Sequence, residues 1–216
     1  MASSFGKFRV GLAVAAAVLA LSAGVGSALA EDPTADQIIN ALKPKGLTRG
    51  LSGGGGAAAD KALSAEDQKF LDGLRTKRTR SLSAGERERV ATLAKEKPSI
   101  DLTITFDYNS ANISKKALPA VTELGKALSN PDLKGNVFMV AGHTDAKGGE
   151  EYNQRLSELR ADSIKRYLVD KYGINGADLV TVGYGKSKLK DPNQPMAEAN
   201  RRVQVVNTEN KETASK

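Results

Sequence analysis

The chain has 216 residues, with 32 Lys or Arg against 25 Asp or Glu and a net charge of +7. Hydrophobic residues make up 40% and charged residues 26%, a balance that allows a soluble globular domain. There is no cysteine, which excludes a disulfide framework, a cysteine-borne N-terminal lipid and a thiolate metal site.

Lys7 and Arg9 precede an apolar run from Val10 to Leu21, and Ala28-Leu29-Ala30 is followed at once by Glu31 and Asp32. This pattern predicts a secretory signal peptide over residues 1–30, cleaved after Ala30. An uncleaved anchor is the rival reading, because no charge interrupts Val10 to Ala30. Lys7 and Arg9 are the only charged side chains in residues 1–30, so cleavage takes the net charge of +7 down by two. A balance this modest does not call for nucleic acid. It suits attraction to an anionic wall or membrane surface, or simple solubility.

Residues 31–60 read as a flexible, Gly-rich segment. Thr34 with Gln37 is placed to cap a short helix carrying Ile38, Ile39 and Leu42, stopped by Pro44 and Gly46. Gly53 to Gly56 reads as a linker. Residues 61–97 read as two short helices. Ser64 with Asp67 precedes Phe70, Leu71 and Leu74, and Ser83 with Glu86 precedes Val90, Leu93 and Ala94. Helices this short must pack on the following domain, bind a partner or remain mobile. At an offset of 31 residues, Asp36-Gln37 echoes Asp67-Gln68, Thr48-Arg49 echoes Thr79-Arg80, and Leu51-Ser52 echoes Leu82-Ser83. The echo reads as a duplicated docking segment or as chance.

Residues 98–208 read as one α/β domain, an α+β sandwich with helices packed on a mixed sheet. Leu102, Ile104, Phe106 and Tyr108 alternate with polar residues and predict a strand. Leu118, Val121, Leu124 and Leu128 follow at helical spacing, then a strand through Val137, Met139 and Ala141. A long helix through Tyr152, Leu156, Ile164 and Leu168 stops near Gly173. Strands over Leu179–Val182 and Arg201–Val206 complete the order β-α-β-α-β-β. Residues 209–216 read as a disordered tail.

Three patches carry the candidate chemistry: Phe106 to Ile113 after a strand, Gly142 to Gly148 with Tyr152-Asn153, Leu156-Ser157 and Arg160-Ala161, and Asn200 to Val203. Asp145 lies on a strand-to-helix loop, a natural ligand position in α/β folds. Asn153, Leu156, Ser157 and Arg160 share one helix face by spacing. A carboxylate and a guanidinium facing one ligand suit a zwitterion, with Asp145 taking the ammonium and Arg160 the carboxylate. Diaminopimelate in cell-wall stem peptides has that combination. An internal salt bridge is the plainer reading of such a pair.

Taken together, Gly-His-Thr-Asp, Gly148, Asn153, Leu156-Ser157, Arg160-Ala161 and Asn-Arg-Arg-Val, in that order, resemble the OmpA-like peptidoglycan-binding domain, a family that includes parts of Pal lipoproteins and MotB stator proteins. The resemblance implies a non-catalytic module that binds the diaminopimelate-containing stem peptide of peptidoglycan and tethers or organises the cell envelope. It implies Asp145 at the diaminopimelate end, Arg160 on the carboxylate, and Asn109, Thr144, Asn153 and Leu156 lining the pocket. Arg202 matches a residue that shapes or contacts the pocket, with Arg201 as the alternative contact. The expected location is the periplasm, associated with the wall or outer membrane. Outer-membrane or other envelope proteins are expected as partners through residues 31–97. An adaptor acting mainly through such partners is the runner-up, and a wall hydrolase the third reading.

No catalytic residue, metal or cofactor is expected. His143 is the sole histidine and has no cysteine to join it, too few ligands for a metal site. Gly183 to Ser187 resembles a phosphate loop but lacks the upstream glycine and reads as a turn. Lys186, Lys188 and Lys190 read as a solvated basic edge.

Overall fold

The computed structural model describes residues 32–44, 64–75, 82–95, 97–107 and 110–208. The expected signal peptide, the Gly53–Gly56 linker, the tail, Asn109 and half of the 31-residue echo lie outside these residues.

Helix α1 (Ala35–Leu42) starts where the Thr34 hydroxyl accepts from the Gln37 N–H at 3.4 Å and the Gln37 side chain accepts from the Thr34 N–H at 2.9 Å. This capping box satisfies two otherwise orphaned donors. Helices α2 (Ala65–Arg75) and α3 (Ala84–Ala94) follow. Ser83 and Glu86 form a second complete box, while Ser64 caps Asp67 at 3.1 Å. The domain then runs β1 (Ser99–Leu102), α4 (Leu118–Leu128), β2 (Phe138–Gly142), α5 (Glu150–Tyr172), β3 (Leu179–Gly183) and β4 (Val203–Asn207). The expected β-α-β-α-β-β order is the observed one. The sheet order is β1-β4-β2-β3, with β2 and β3 parallel and the other pairs antiparallel.

Alternation along the strands gives the sheet two apolar faces. Leu102, Phe138, Val140, Leu179, Val203 and Val205 face a core completed by α1, α4 and α5. Val137, Met139, Ala141, Val180, Val182 and Val206 face the other way and meet Leu71, Leu74, Leu82 and Val90. The two short helices therefore pack on the sheet. Arg75 pairs with Asp178 at 2.6 Å and bonds the Ala177 carbonyl at 2.9 Å. The Tyr184 hydroxyl donates to the Arg87 carbonyl at 3.2 Å. Helix α1 belongs to the first core: Ile38 and Leu42 are fully buried, and the Asn207 amide donates to the Leu42 carbonyl at 2.9 Å.

Two local expectations change. Strand β1 ends at Leu102 instead of running to Tyr108. The Ile104 N–H bonds back to the Leu102 carbonyl, and beyond it the chain is held by Asp107 N–H to Asn112 O and a Phe106–Ile113 bridge instead of a strand pairing. Alternation here marks burial, not a continuing ladder. The lysine edge is paired: Lys186 with Glu150 at 3.6 Å, Lys188 with Glu88 at 2.7 Å, and Lys190 with Asp101 at 3.1 Å.

Strand β3 is an edge strand. Tyr184 N–H bonds Gly142 O across the β2–β3 pair, so by alternation the carbonyls of Leu179 and Gly183 point outward. Lys165 donates to the first at 2.6 Å and Gln154 to the second at 2.8 Å. Among the described residues, no helix is long and apolar enough to cross a membrane.

Candidate functional site

Gly142, Gly183, Val203 and Leu102 stand in register at one end of the sheet. Three connecting segments meet there: residues 103–107 with 110–114, 143–149, and 184–202. The middle loop is tied at every step. His143 N–H bonds Arg202 O at 3.0 Å, Thr144 N–H bonds Gly185 O at 2.9 Å, and Ala146 N–H bonds Pro195 O at 2.9 Å. Gly148 takes a positive φ of 93°, a conformation glycine adopts without a Cβ clash. Asn153 donates to Lys147 O at 2.8 Å.

Helix α5 reaches this loop with a graded face. Its buried positions are Asn153, Ser157 and Glu158 near the loop, then Ala161, Ile164 and Leu168 further on. The apolar half anchors the helix, leaving the polar half at the site. Ser157 ties that half to the third loop by accepting from Gly185 N–H at 2.8 Å.

Asp145 is largely enclosed, its side chain 15% exposed. One carboxylate oxygen accepts from Lys147 N–H at 3.1 Å and the other from Arg201 at 3.0 Å. Arg160 is half-buried, its guanidinium 4.7 Å from the Phe106 ring centroid and its Nε donating to Ser110 O at 3.4 Å. Burial holds its pKa below the ordinary arginine value; Tyr152 and Asp145 favour its charge, and Arg201 opposes it. Asp145, Arg201 and Tyr152 thus all lie within electrostatic reach of Arg160. Thr144 is buried and, among the described residues, its hydroxyl has no hydrogen-bond partner. Leu156 is half-buried, one turn before Arg160.

The tandem arginines separate. Arg201 meets Asp145, whereas Arg202 is 9% exposed and turns to Asp101 at 3.2 Å and to the Lys188 carbonyl. Arg202 shapes the loop from inside and does not reach Asp145. Tyr152, 49% exposed on the first turn of α5, lies beside the site, in the patch where the sequence motif placed it.

His143 is buried, its Nδ1 3.1 Å from the Lys188 carbonyl and its ring 5.3 Å from Tyr184. Burial, helped by the Arg202 charge, pushes its pKa down to about 3. In the unfolded chain the ring protonates near pH 6.5. Between these values the unfolded state binds more protons, so this contribution is fully present above pH 6.5 and falls as pH drops toward 3. Urea unfolding from pH 7.5 to 4.5 should show stability falling at up to about 1.4 kcal/mol per pH unit. His143→Gln should flatten that slope; an unchanged slope would assign it elsewhere. Glu88, held below its ordinary carboxylate value by the Lys188 hydrogen bond, titrates beneath this window. Among the described residues, no three His, Cys, Asp or Glu side chains are grouped to hold a metal.

The OmpA family matches residues 105–202. The peptidoglycan-associated lipoprotein of Buchnera aphidicola is 36% identical over 86 residues, 40% of this chain and 48% of that protein. Outer membrane protein A of Klebsiella aerogenes is 40% identical over 84 residues, 39% of this chain and 24% of that protein. The chain thus spans half or less of the curated relatives it matches. A solved outer membrane protein from Borrelia burgdorferi is 30% identical, with 50% of this chain and 84% of that one covered at a TM-score of 0.40. Residues 105–202, which carry Asp145, Arg160, Arg201 and Arg202, match the OmpA family.

Proposed function

We infer that the chain binds peptidoglycan without cleaving it, gripping the zwitterionic end of diaminopimelate in the stem peptide and tethering the cell envelope. The observation that carries this reading is an enclosed carboxylate, Asp145, within electrostatic reach of a half-buried guanidinium, Arg160, at the meeting point of three loops. In a partly desolvated setting, charge-assisted bonds to an ammonium and a carboxylate are stronger than at an open surface. Arg201 holds the Asp145 carboxylate and is the group a bound ammonium displaces. The names of the relatives, an outer membrane protein and a peptidoglycan-associated lipoprotein, support a place at the wall in the periplasm.

Co-sedimentation with purified sacculi tests the reading. The parent should pellet with sacculi and be released by free meso-diaminopimelate, while Asp145→Ala and Arg160→Ala should stay in the supernatant. Equal pelleting of parent and variants would refute the site, and clearing of sacculus turbidity by the parent would point to hydrolysis instead.

A further inference from the structure

Among the described residues, the exposed large hydrophobic side chains are Leu118 at 36%, Tyr152 at 49% and Met196 at 60%. Single exposed apolar groups are ordinary; the position of the last two is not. The Tyr152 ring lies over Gly148, where an added Cβ would stand 3.5 Å from the ring. Met196 follows Pro195, whose carbonyl holds the Ala146 N–H at 2.9 Å. Both residues therefore border the loop that carries Asp145. Both segments are fixed: Tyr152 by α5, and Met196 by Asn200, whose amide donates to Gln194 O at 2.9 Å and to Pro195 O at 3.2 Å. Neither side chain is needed for the core, because the clusters on both sheet faces close without them.

We propose that Tyr152 and Met196 form an apolar subsite beside the clamp, taking the uncharged hydrocarbon of the stem peptide that leads away from the zwitterion: the methylenes of diaminopimelate and the methyl of the alanyl residue attached to it. The assignment rests on the clamp reading above. Its chemistry is complementary: Asp145, Arg160 and Arg201 satisfy charge, while an aromatic ring and a thioether cover C–H surface that would otherwise face water. An aromatic anchor and a methionine are also among the side chains enriched at binding interfaces. Free diaminopimelate then uses the clamp and only the edge of the subsite, whereas a stem peptide fills it.

Titration calorimetry on the full chain tests this with three probes: free meso-diaminopimelate, a sugar-free tetrapeptide stem containing diaminopimelate followed by D-alanine, and the same stem on its disaccharide. The parent should bind the tetrapeptide about tenfold more tightly than the free amino acid. Tyr152→Ala with Met196→Ala should lose that gain while binding free diaminopimelate within about twofold of the parent. Tyr152→Phe with Met196→Leu should keep it. Both side chains are exposed, so the variants should fold, and circular dichroism checks this. Parent-like binding of the tetrapeptide by the double alanine variant would overturn the subsite. So would an equal loss on tetrapeptide and free diaminopimelate, which would make the pair a support of the clamp. A loss confined to the disaccharide ligand would assign the surface to sugar and overturn the peptide assignment. If Asp145→Ala binds free diaminopimelate like the parent, the clamp reading itself falls.

Discussion

Gly142→Ala should cost about 3 kcal/mol of stability and abolish ligand binding together with it. Gly142 ends β2, and an added Cβ would overlap the Ser157 backbone carbonyl on α5. Its neighbour in register, Gly183, is as tight: a Cβ there would lie 2.5 Å from Glu158 Cγ and 2.6 Å from the Glu158 nitrogen. The clash is with backbone, so no rotamer change relieves it and α5 must lift. The same helix carries Asn153 and Arg160, so lifting moves the site. Urea denaturation with a parallel sacculus assay checks both effects. Gly73→Ala is the contrasting control. It lies inside α2 with nothing within 4 Å of an added Cβ, and should stabilise by about 0.5–1 kcal/mol through helix propensity. A Gly142→Ala variant as stable as the parent would show that α5 does not rest on β2 as described.

The second large effect lies at the other end of the chain. Ile38→Ala and Leu42→Ala should each cost about 3 kcal/mol, and the pair should remove the cooperative unfolding transition at room temperature. Both side chains are fully buried against the core under α4 and β1. The helix is also held by Ala35 N–H to Glu123 at 2.9 Å and by Lys43 to Asp132 at 2.7 Å. Thermal unfolding followed by circular dichroism reads the result. A loss of under about 1 kcal/mol for each variant would mean that α1 is dispensable. This bears on the idea of residues 31–97 as a free tether. Deleting them would uncover apolar surface on both sides of the sheet, so a partner-binding role there is better probed by substitutions at exposed positions of α2 and α3.

Much of this was legible in the sequence because the signals were local. The Thr34/Gln37 and Ser83/Glu86 boxes sit where spacing put them, and α5 ends at Gly173, which takes the left-handed φ of 63° expected of a helix stop. What failed was non-local. Alternation from Leu102 to Tyr108 could not tell a strand from a loop whose apolar residues dip into the core. The burial of Ile38 could not be read from its own segment, since the surface it covers lies far along the chain. Arg201 and Arg202 are adjacent and chemically identical, and only the path of the chain into β4 sends one to Asp145 and the other to Asp101. Lys186, Lys188 and Lys190 looked solvated because their acidic partners come from three different elements.

The side chains of Lys165 and Gln154 over the outward carbonyls of β3 have a consequence for many molecules together. A protein gathered on a polymer surface meets its own copies at high local concentration, where a bare strand edge templates strand-by-strand growth. With Leu179 and Gly183 already answered by α5, two outward carbonyls of this border are taken before any incoming strand arrives. A second copy would have to displace both side chains before it could extend the sheet at this edge.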